Sequence, residues 1–195
     1  GTGLSGGALP LKDGLLLVLT RLNRILHIDP LARTARVEPG VRNLAVSEAV
    51  RPPGLYYAPD PSSQIACSFG GNVAENSGGV HCLKYGLTVH NVLEVKLLTI
   101  GGEVVVLGSA ALDAPGYDLL AVINGSEGML GVITEVLLRL LPVPQTAQVV
   151  LAGFATVEDA ASTVAAIVGA GIVPAGLEMM DRLSVEAVEA FSAPG

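Results

Sequence analysis

The sequence predicts an α+β fold, and three observations predict it. Residues 1–144 are short β-rich runs broken by Gly and Pro, with few helical patterns among them. One of them, "NVLEVKLLTIGGEVVVLG", is a hairpin signal: two β-rich runs flank Gly101-Gly102, a dipeptide that supplies positive φ in tight turns. From Gln145 the pattern changes to β-α-β-α, which places a domain boundary near Pro142–Gln145 and divides the chain into 1–144 and 145–195.

The elements follow in order. "GLLLVLTRLNRILHID" reads as two strands with a turn near Arg21–Asn23, the second ended by Pro30. Thr34–Pro39 is another strand. "VRNLAVSEAV" carries Val41, Leu44, Ala45 and Ala49 at helical spacing, and Pro52-Pro53-Gly54 stops it. Residues 55–90 are loop-rich, a length that inside a compact domain points to function. "GGNVAENSGG" holds a short helix between glycine pairs, "GYDLLAVING" a second, and "GVITEVLLRLLPV" a strand that ends at Pro142. Beyond the boundary, "AQVVLAGF" and "IVPAGLEMM" read as strands and "DRLSVEAVEAF" as a helix. The helix "TVEDAASTVAAIVGAG" has Thr156 as N-cap and Asp159 at the capping-box position.

Composition narrows the function. The chain has 195 residues, half of them hydrophobic, with no Trp and a formal net charge of −7. It lacks the basic clusters and stacking aromatics of nucleic-acid binders. Cys67 and Cys82 sit in no metal-ligand pattern and read as unpaired thiols of a reducing compartment. No apolar run reaches membrane-spanning length. With 24 glycines, a bound phosphate would be met by backbone N–H groups.

The opening "GTGLSGGALP" matches G-x-G-x-x-G through Gly1, Gly3 and Gly6. A dinucleotide fingerprint needs a helix to begin inside it. Here Pro10, Gly14 and a strand pattern follow, which excludes a nicotinamide-binding Rossmann unit. Thr2 and Ser5 among four glycines make an anion-binding nest instead. In "CSFGGNVAENSGG", Asn72 and Asn76 stand one helical turn apart between Gly70-Gly71 and Gly78-Gly79, amides suited to a flat heterocycle edged with N and C=O groups. Gly125, Gly128 and Gly131 recur every three residues in "NGSEGMLGVIT".

These stretches, with "PDPSSQIACSFGGNVAENSGGVHCLKYG" between the first and third, resemble in order and spacing the FAD-linked oxidases of the vanillyl-alcohol-oxidase type. The likeness runs through "GLEMMD" and covers essentially the whole chain. It is nearest to the branch of the glycolate oxidase D subunit and D-lactate dehydrogenase. The resemblance implies a PCMH-type FAD-binding domain, mostly its second subdomain, followed by the start of a ferredoxin-like α+β substrate domain. It implies that Gly1, Thr2, Gly3, Leu4, Ser5, Gly6 and Gly7 wrap the FAD pyrophosphate. Pro59, Asp60, Ser68, Gly70, Gly71, Asn72, Asn76, Ser77 and Gly78 would lie against pyrophosphate and isoalloxazine, and Glu127, Gly128, Gly131, Val132 and Ile133 near the ADP half. Thr2 stands where covalently flavinylated relatives carry His, so the FAD is expected to be non-covalent.

The implied reaction oxidises a small 2-hydroxy acid of the glycolate or D-lactate type by hydride transfer to flavin N5. The alternative is a non-catalytic flavin-carrying or scaffold subunit. The implied partners are other oxidase-complex subunits or an electron acceptor, protein or quinone, with no nucleic acid and no transmembrane segment. The implied setting is cytoplasmic, free or peripheral to the inner face of the membrane. The chain starts within a glycine loop, and the family's His-x-x-x-Asp-Gly-Asn stretch is absent, so a fragment inactive by itself is expected. No catalytic or metal-ligating residue is assigned. His27 reads as a packing residue, His81, His90, Lys84 and Tyr85 as flavin-side candidates, and Asp181 as a helix cap.

Overall fold

The computed structural model describes residues 1–111 and 116–192. In chain order its elements are β1 (Ile25–Asp29), β2 (Thr34–Val37), α1 (Asn43–Ala49), β3 (Leu55–Tyr56), α2 (Phe69–Glu75), α3 (Cys82–Tyr85), α4 (Thr88–Asn91), β4 (Val92–Leu98), β5 (Val104–Gly108), α5 (Leu119–Ile123), β6 (Val132–Arg139), β7 (Leu141–Pro142), α6 (Val157–Gly169) and α7 (Arg182–Ser192).

Five strands form an antiparallel sheet in the order β1-β2-β6-β4-β5. The predicted hairpin is its β4–β5 edge, with Gly102 at φ 80° in the turn and its N–H donating to the Thr99 carbonyl at 3.0 Å. β3 pairs with β7 in a separate two-stranded ribbon. Alternation places Ala35, Val37, Val95, Leu97, Ile133, Val136 and Leu138 in the core, where they meet Val46 and Val50 from α1 and Phe69 and Val73 from α2. α2 is thus fixed from below by its apolar side and keeps its polar side for the loops around it.

On the sheet surface the charges are matched across strands. Arg36 Nη1 lies 2.6 Å from Glu94 and 3.7 Å from Glu135, and Lys96 Nζ lies 2.9 Å from Glu135. Just after β2, Glu38 accepts from the backbone N–H of Arg24, which precedes β1, at 2.7 Å and from its guanidinium at 2.8 and 3.1 Å. That guanidinium holds the Glu38 carboxyl below the usual carboxylate range. Gly40 has no room for a Cβ, which would fall 2.5 Å from the Leu19 carbonyl and 2.7 Å from that of Leu22.

Three predicted strands are absent. Residues 14–19, 147–154 and 172–180 have no ladder, and Leu15, Val149, Val150 and Leu151 are exposed. Apolar β-branched content makes a segment competent for a strand, but a strand exists only where a neighbour completes its hydrogen bonds. None of the described residues serves as that neighbour. Beside these segments both helices, α6 and α7, form with their expected caps. Thr156 Oγ1 accepts from the Asp159 N–H at 3.1 Å, and Asp181 Oδ1 accepts from the Ser184 N–H at 2.7 Å. The Ser184 contact holds the Asp181 carboxyl below its ordinary value. No described helix is long and apolar enough to cross a membrane.

Candidate functional site: a glycine-lined cradle around α2

The three glycine-rich stretches, far apart in sequence, meet at one short helix. From the first, Ser5 Oγ donates to Glu75 Oε2 at 3.2 Å, and Gly3 lies so close that a Cβ there would sit 3.1 Å from Glu75 Oε1. α2 itself is the second. From the third, the Gly125 N–H donates to the Val73 carbonyl and the Glu127 N–H to the Ala74 carbonyl, each at 2.8 Å. These carbonyls are among the last of α2, where few intrahelical donors remain; that of Val73 also accepts from the Asn76 N–H at 3.2 Å. The positive φ of Gly125 (86°) and Glu127 (52°) lets the segment curl over that end.

The first stretch follows an exposed path with Gly6 at φ 86°. Among the described residues, no backbone N–H of Gly1–Gly7 has an intramolecular acceptor. Seven consecutive residues with unpaired N–H groups, Gly6 among them at positive φ, fit an anion nest. No helix follows within residues 8–24, so the G-x-G-x-x-G match carries no helix dipole behind it. The hydroxyl of Ser5 is spent on Glu75, so Ser5 is a tether of this loop rather than a second free donor.

α2 departs from the expected pairing of asparagines. Asn72 lies in the helix, 1% exposed, and its Nδ2 is buried without an acceptor. Asn76 is the C-cap beyond it, in the left-handed region (φ 50°, ψ 52°). Its side chain therefore leaves the helical face of Asn72, and its Oδ1 accepts from the Val89 N–H at 3.0 Å. Asn76 joins two loops; Asn72 is the amide left with an unmet donor. At the other end of α2, Ser68 is the N-cap but makes no side-chain capping bond. The Phe69 and Gly70 N–H groups go to the carbonyls of Val41 and Pro39, and the N–H of exposed Gly71 has no acceptor outside the helix among the described residues. Gly70 is required by contact, since its Cβ would lie 2.8 Å from that of Pro39.

The Pro-Asp-Pro segment packs beside this helix. Buried Pro59 accepts at its carbonyl from Asn43 Nδ2 at 3.1 Å. Asp60 Oδ2 lies 2.6 Å from His81 Nδ1, while Asp60 Oδ1 is buried without a donor. Gly79 is pressed onto the Asp60 backbone and side chain, and Gly78 onto Leu87 and Cys82. The Ser77 carbonyl accepts from the N–H and Oγ1 of Thr88. Tyr57 stacks edge-on against Phe69 at 5.0 Å, and burial pushes its phenol up, so it stays protonated. Burial also raises the Tyr56 phenol, which meets Tyr85 edge-on.

The third stretch divides in two. Gly128 (φ 77°) has open space around it, and Gly131 is held by the Leu98 carbonyl, 2.6 Å from where a Cβ would stand. Val132 and Ile133 begin β6, paired with Leu98 and Leu97; the Ile133 side chain is in the core. Leu4 and Gly7 make no close contact and are fully open to the outside.

The histidines have distinct surroundings. His27 is exposed on β1 rather than packed. His90 Nδ1 accepts from the Leu87 N–H at 3.0 Å, a local loop bond. His81 alone of the three is held by a carboxylate. That Asp60–His81 pair and the Ser5–Glu75 tether were not legible in the sequence, because each joins residues 21 and 70 positions apart.

The residues fit FAD on three counts. Unpaired N–H groups of Gly1–Gly7 suit a pyrophosphate. The buried donor of Asn72 and the buried acceptors of Asp60 and Asn124 call for polar partners, which a flavin nucleotide has on its ring edge and ribityl chain. The glycines leave the backbone bare for close approach. The described residues contain no cluster of metal-ligating side chains.

Comparison with known proteins gives the family. An "FAD binding domain" family model matches residues 1–108, and "FAD linked oxidases, C-terminal domain" matches residues 143–194. The glycolate oxidase subunit GlcD of Escherichia coli (strain K12) is 65% identical over 98% of this chain and 38% of its own length. The D-lactate dehydrogenase of Anaerostipes hadrus is 35% identical over 97% of this chain and 40% of its own. Both relatives are therefore more than twice as long as the chain. A solved alkyldihydroxyacetonephosphate synthase superposes with a TM-score of 0.67 at 26% identity, over 80% of this chain and 28% of that one. With more than half of its residues in the first of these models, and its three glycine stretches gathered on one helix, the chain belongs to the FAD-linked oxidases and carries their PCMH-type FAD-binding fold.

Proposed function

We propose that the chain is the flavin-binding part of an oxidoreductase that oxidises a small 2-hydroxy acid such as glycolate or D-lactate. The observation that carries this is the convergence of Ser5, Gly125 and Glu127 on α2 beside the orphaned donor of Asn72. The substrate class comes from the relatives, named as glycolate oxidase and D-lactate dehydrogenase.

Each residue has a task in this reading. The N–H groups of Gly1–Gly7 bind the pyrophosphate, and Ser5 keeps their loop on α2 through Glu75. Asn72 donates to the ring edge. Asp60 and Ser68, with Gly70, Gly71 and Gly78, line the ring side, where Asn76 and Ser77 hold the loops in place. Glu127, Gly128 and Gly131 shape the ADP end. FAD held here would supply the two-electron acceptor for a hydride leaving the carbinol carbon of the substrate, with flavin N5 the expected position. The base that takes the hydroxyl proton is not assigned to this chain. Residues 1–144 form the FAD domain and 145–195 the opening of the substrate domain, which leans on the cradle where Gly176 meets Val80.

Anaerobic mixing of the flavoprotein, at the length of its relatives, with glycolate, D-lactate and D-2-hydroxyglutarate tests the activity. Bleaching of the oxidised flavin band by at least one acid is expected. A flavin that stays oxidised with all three would leave a flavin-carrying subunit as the function.

A further inference from the structure

At the opposite end of β6 from the cradle lies a pocket of about 390 Å³. It is lined by Ala32, Arg33 and Thr34 at the β1–β2 turn, by Leu93 and Ala110, and by Arg139, Leu140 and Leu141. Seven strand steps separate Val132 from Arg139, about 24 Å at the usual rise.

The pocket breaks a rule that the rest of the sheet keeps. Arg36 and Lys96 each face a glutamate on a neighbouring strand. Arg139 and Arg33 have no ion pair among the described residues, and no carboxylate lines the pocket. Arg139 Nε is buried without an acceptor. A buried guanidinium N–H left unmet is costly, and a polar ligand is one way to meet it. Arg33 sits in the left-handed region at φ 54°, held there in part by its carbonyl, which accepts from the Leu140 N–H at 2.8 Å. Such a backbone is strained for arginine, and strain of this kind persists where the surroundings over-determine it. Thr34, opposite Arg139 in the β2–β6 register, adds a hydroxyl with no hydrogen-bond partner among the described residues.

We propose that this pocket is a second ligand site, separate from the flavin cradle, and that it takes a short-chain organic carboxylate. Two guanidiniums and a hydroxyl suit a planar carboxylate. Leu93, Leu140 and Leu141 suit a few carbons of apolar body, which a fully hydrated inorganic phosphate lacks. The carboxylate supplies the acceptor that Arg139 Nε is missing, while the aliphatic part lies on the leucines.

The test is methyl NMR on the FAD-loaded flavoprotein, labelled at leucine and titrated with butyrate and, separately, with inorganic phosphate. Saturable shifts of the Leu93, Leu140 and Leu141 methyls with butyrate are expected, with phosphate at least tenfold weaker. Arg139→Met should abolish the shifts, and Arg33→Met, on the exposed arm, should weaken binding about tenfold, the value of one charge-assisted hydrogen bond. Arg139→Lys keeps the charge and should lose at least as much, which covers a Met variant that fails to fold. None of these variants should change how 2-hydroxy acids bleach the flavin. Methyls that do not move, or that move alike in wild type and all three variants, would overturn the site. Phosphate binding as well as butyrate would overturn its assignment to carboxylates.

Discussion

Asn72 is the residue on which the cofactor reading is sharpest, because two explanations of it predict opposite outcomes. Its Nδ2 is buried and has no acceptor. If the amide were there to hold the fold, replacing it would cost stability. If it waits for a flavin, Asn72→Leu removes an unmet polar group from a buried position and should leave the melting temperature of the apoprotein unchanged or higher. The same substitution should weaken FAD binding by about 10- to 100-fold, the worth of one buried hydrogen bond. Fluorescence titration of FAD and thermal melts of the apoprotein read the two effects separately. A fall in apoprotein stability with unchanged FAD affinity would assign Asn72 to structure. Gly79 gives the converse case. Its Cβ would strike Asp60, so Gly79→Ala should lower stability by about 1–3 kcal/mol in a melt, whatever is bound.

At the scale of elements, the sequence disclosed those that complete themselves and misread those that need a partner. The Gly101-Gly102 hairpin carries its own turn and ladder, and the helix from Val157 carries its own cap, so both are present. The runs at 14–19, 147–154 and 172–180 have the composition of strands, yet no neighbour among the described residues pairs with them. The sheet order is also invisible locally: β6 lies between β2 and β4, which are distant in sequence. The cradle was legible as three glycine motifs, whereas its organisation around α2 rests on tertiary bonds through Glu75, Val73 and Ala74. The segment before β1 adds a pH dependence. Arg24 depresses the Glu38 carboxyl below its ordinary value near 4.5, so the ionised, paired form favours the folded state. That contribution is complete above the unfolded value and is lost as pH falls through the lower folded value. Glu38→Gln should therefore destabilise the protein at pH 7, and the gap from wild type should narrow as the pH is lowered below about 4.5. A gap that stays constant down to pH 3 would show that the pair contributes nothing through charge.

At the scale of the whole molecule, the proposed function has an acidic chain with bare glycine loops binding an anionic dinucleotide through backbone N–H groups. The net charge of −7 makes the approach of such a ligand unfavourable at long range, so affinity must come from short, directed bonds in the nest and around α2. Binding should therefore not weaken as salt is raised, since salt screens that repulsion, and should depend strongly on the presence of the pyrophosphate. The most direct measurement is quenching of flavin fluorescence as the apoprotein, at the length of its relatives, is titrated into FAD, with riboflavin and NAD as comparisons. The account predicts saturable one-to-one binding of FAD, at least a hundredfold weaker binding of riboflavin, which lacks the pyrophosphate, and no competition by NAD. Riboflavin bound as tightly as FAD, or FAD displaced by NAD, would contradict it.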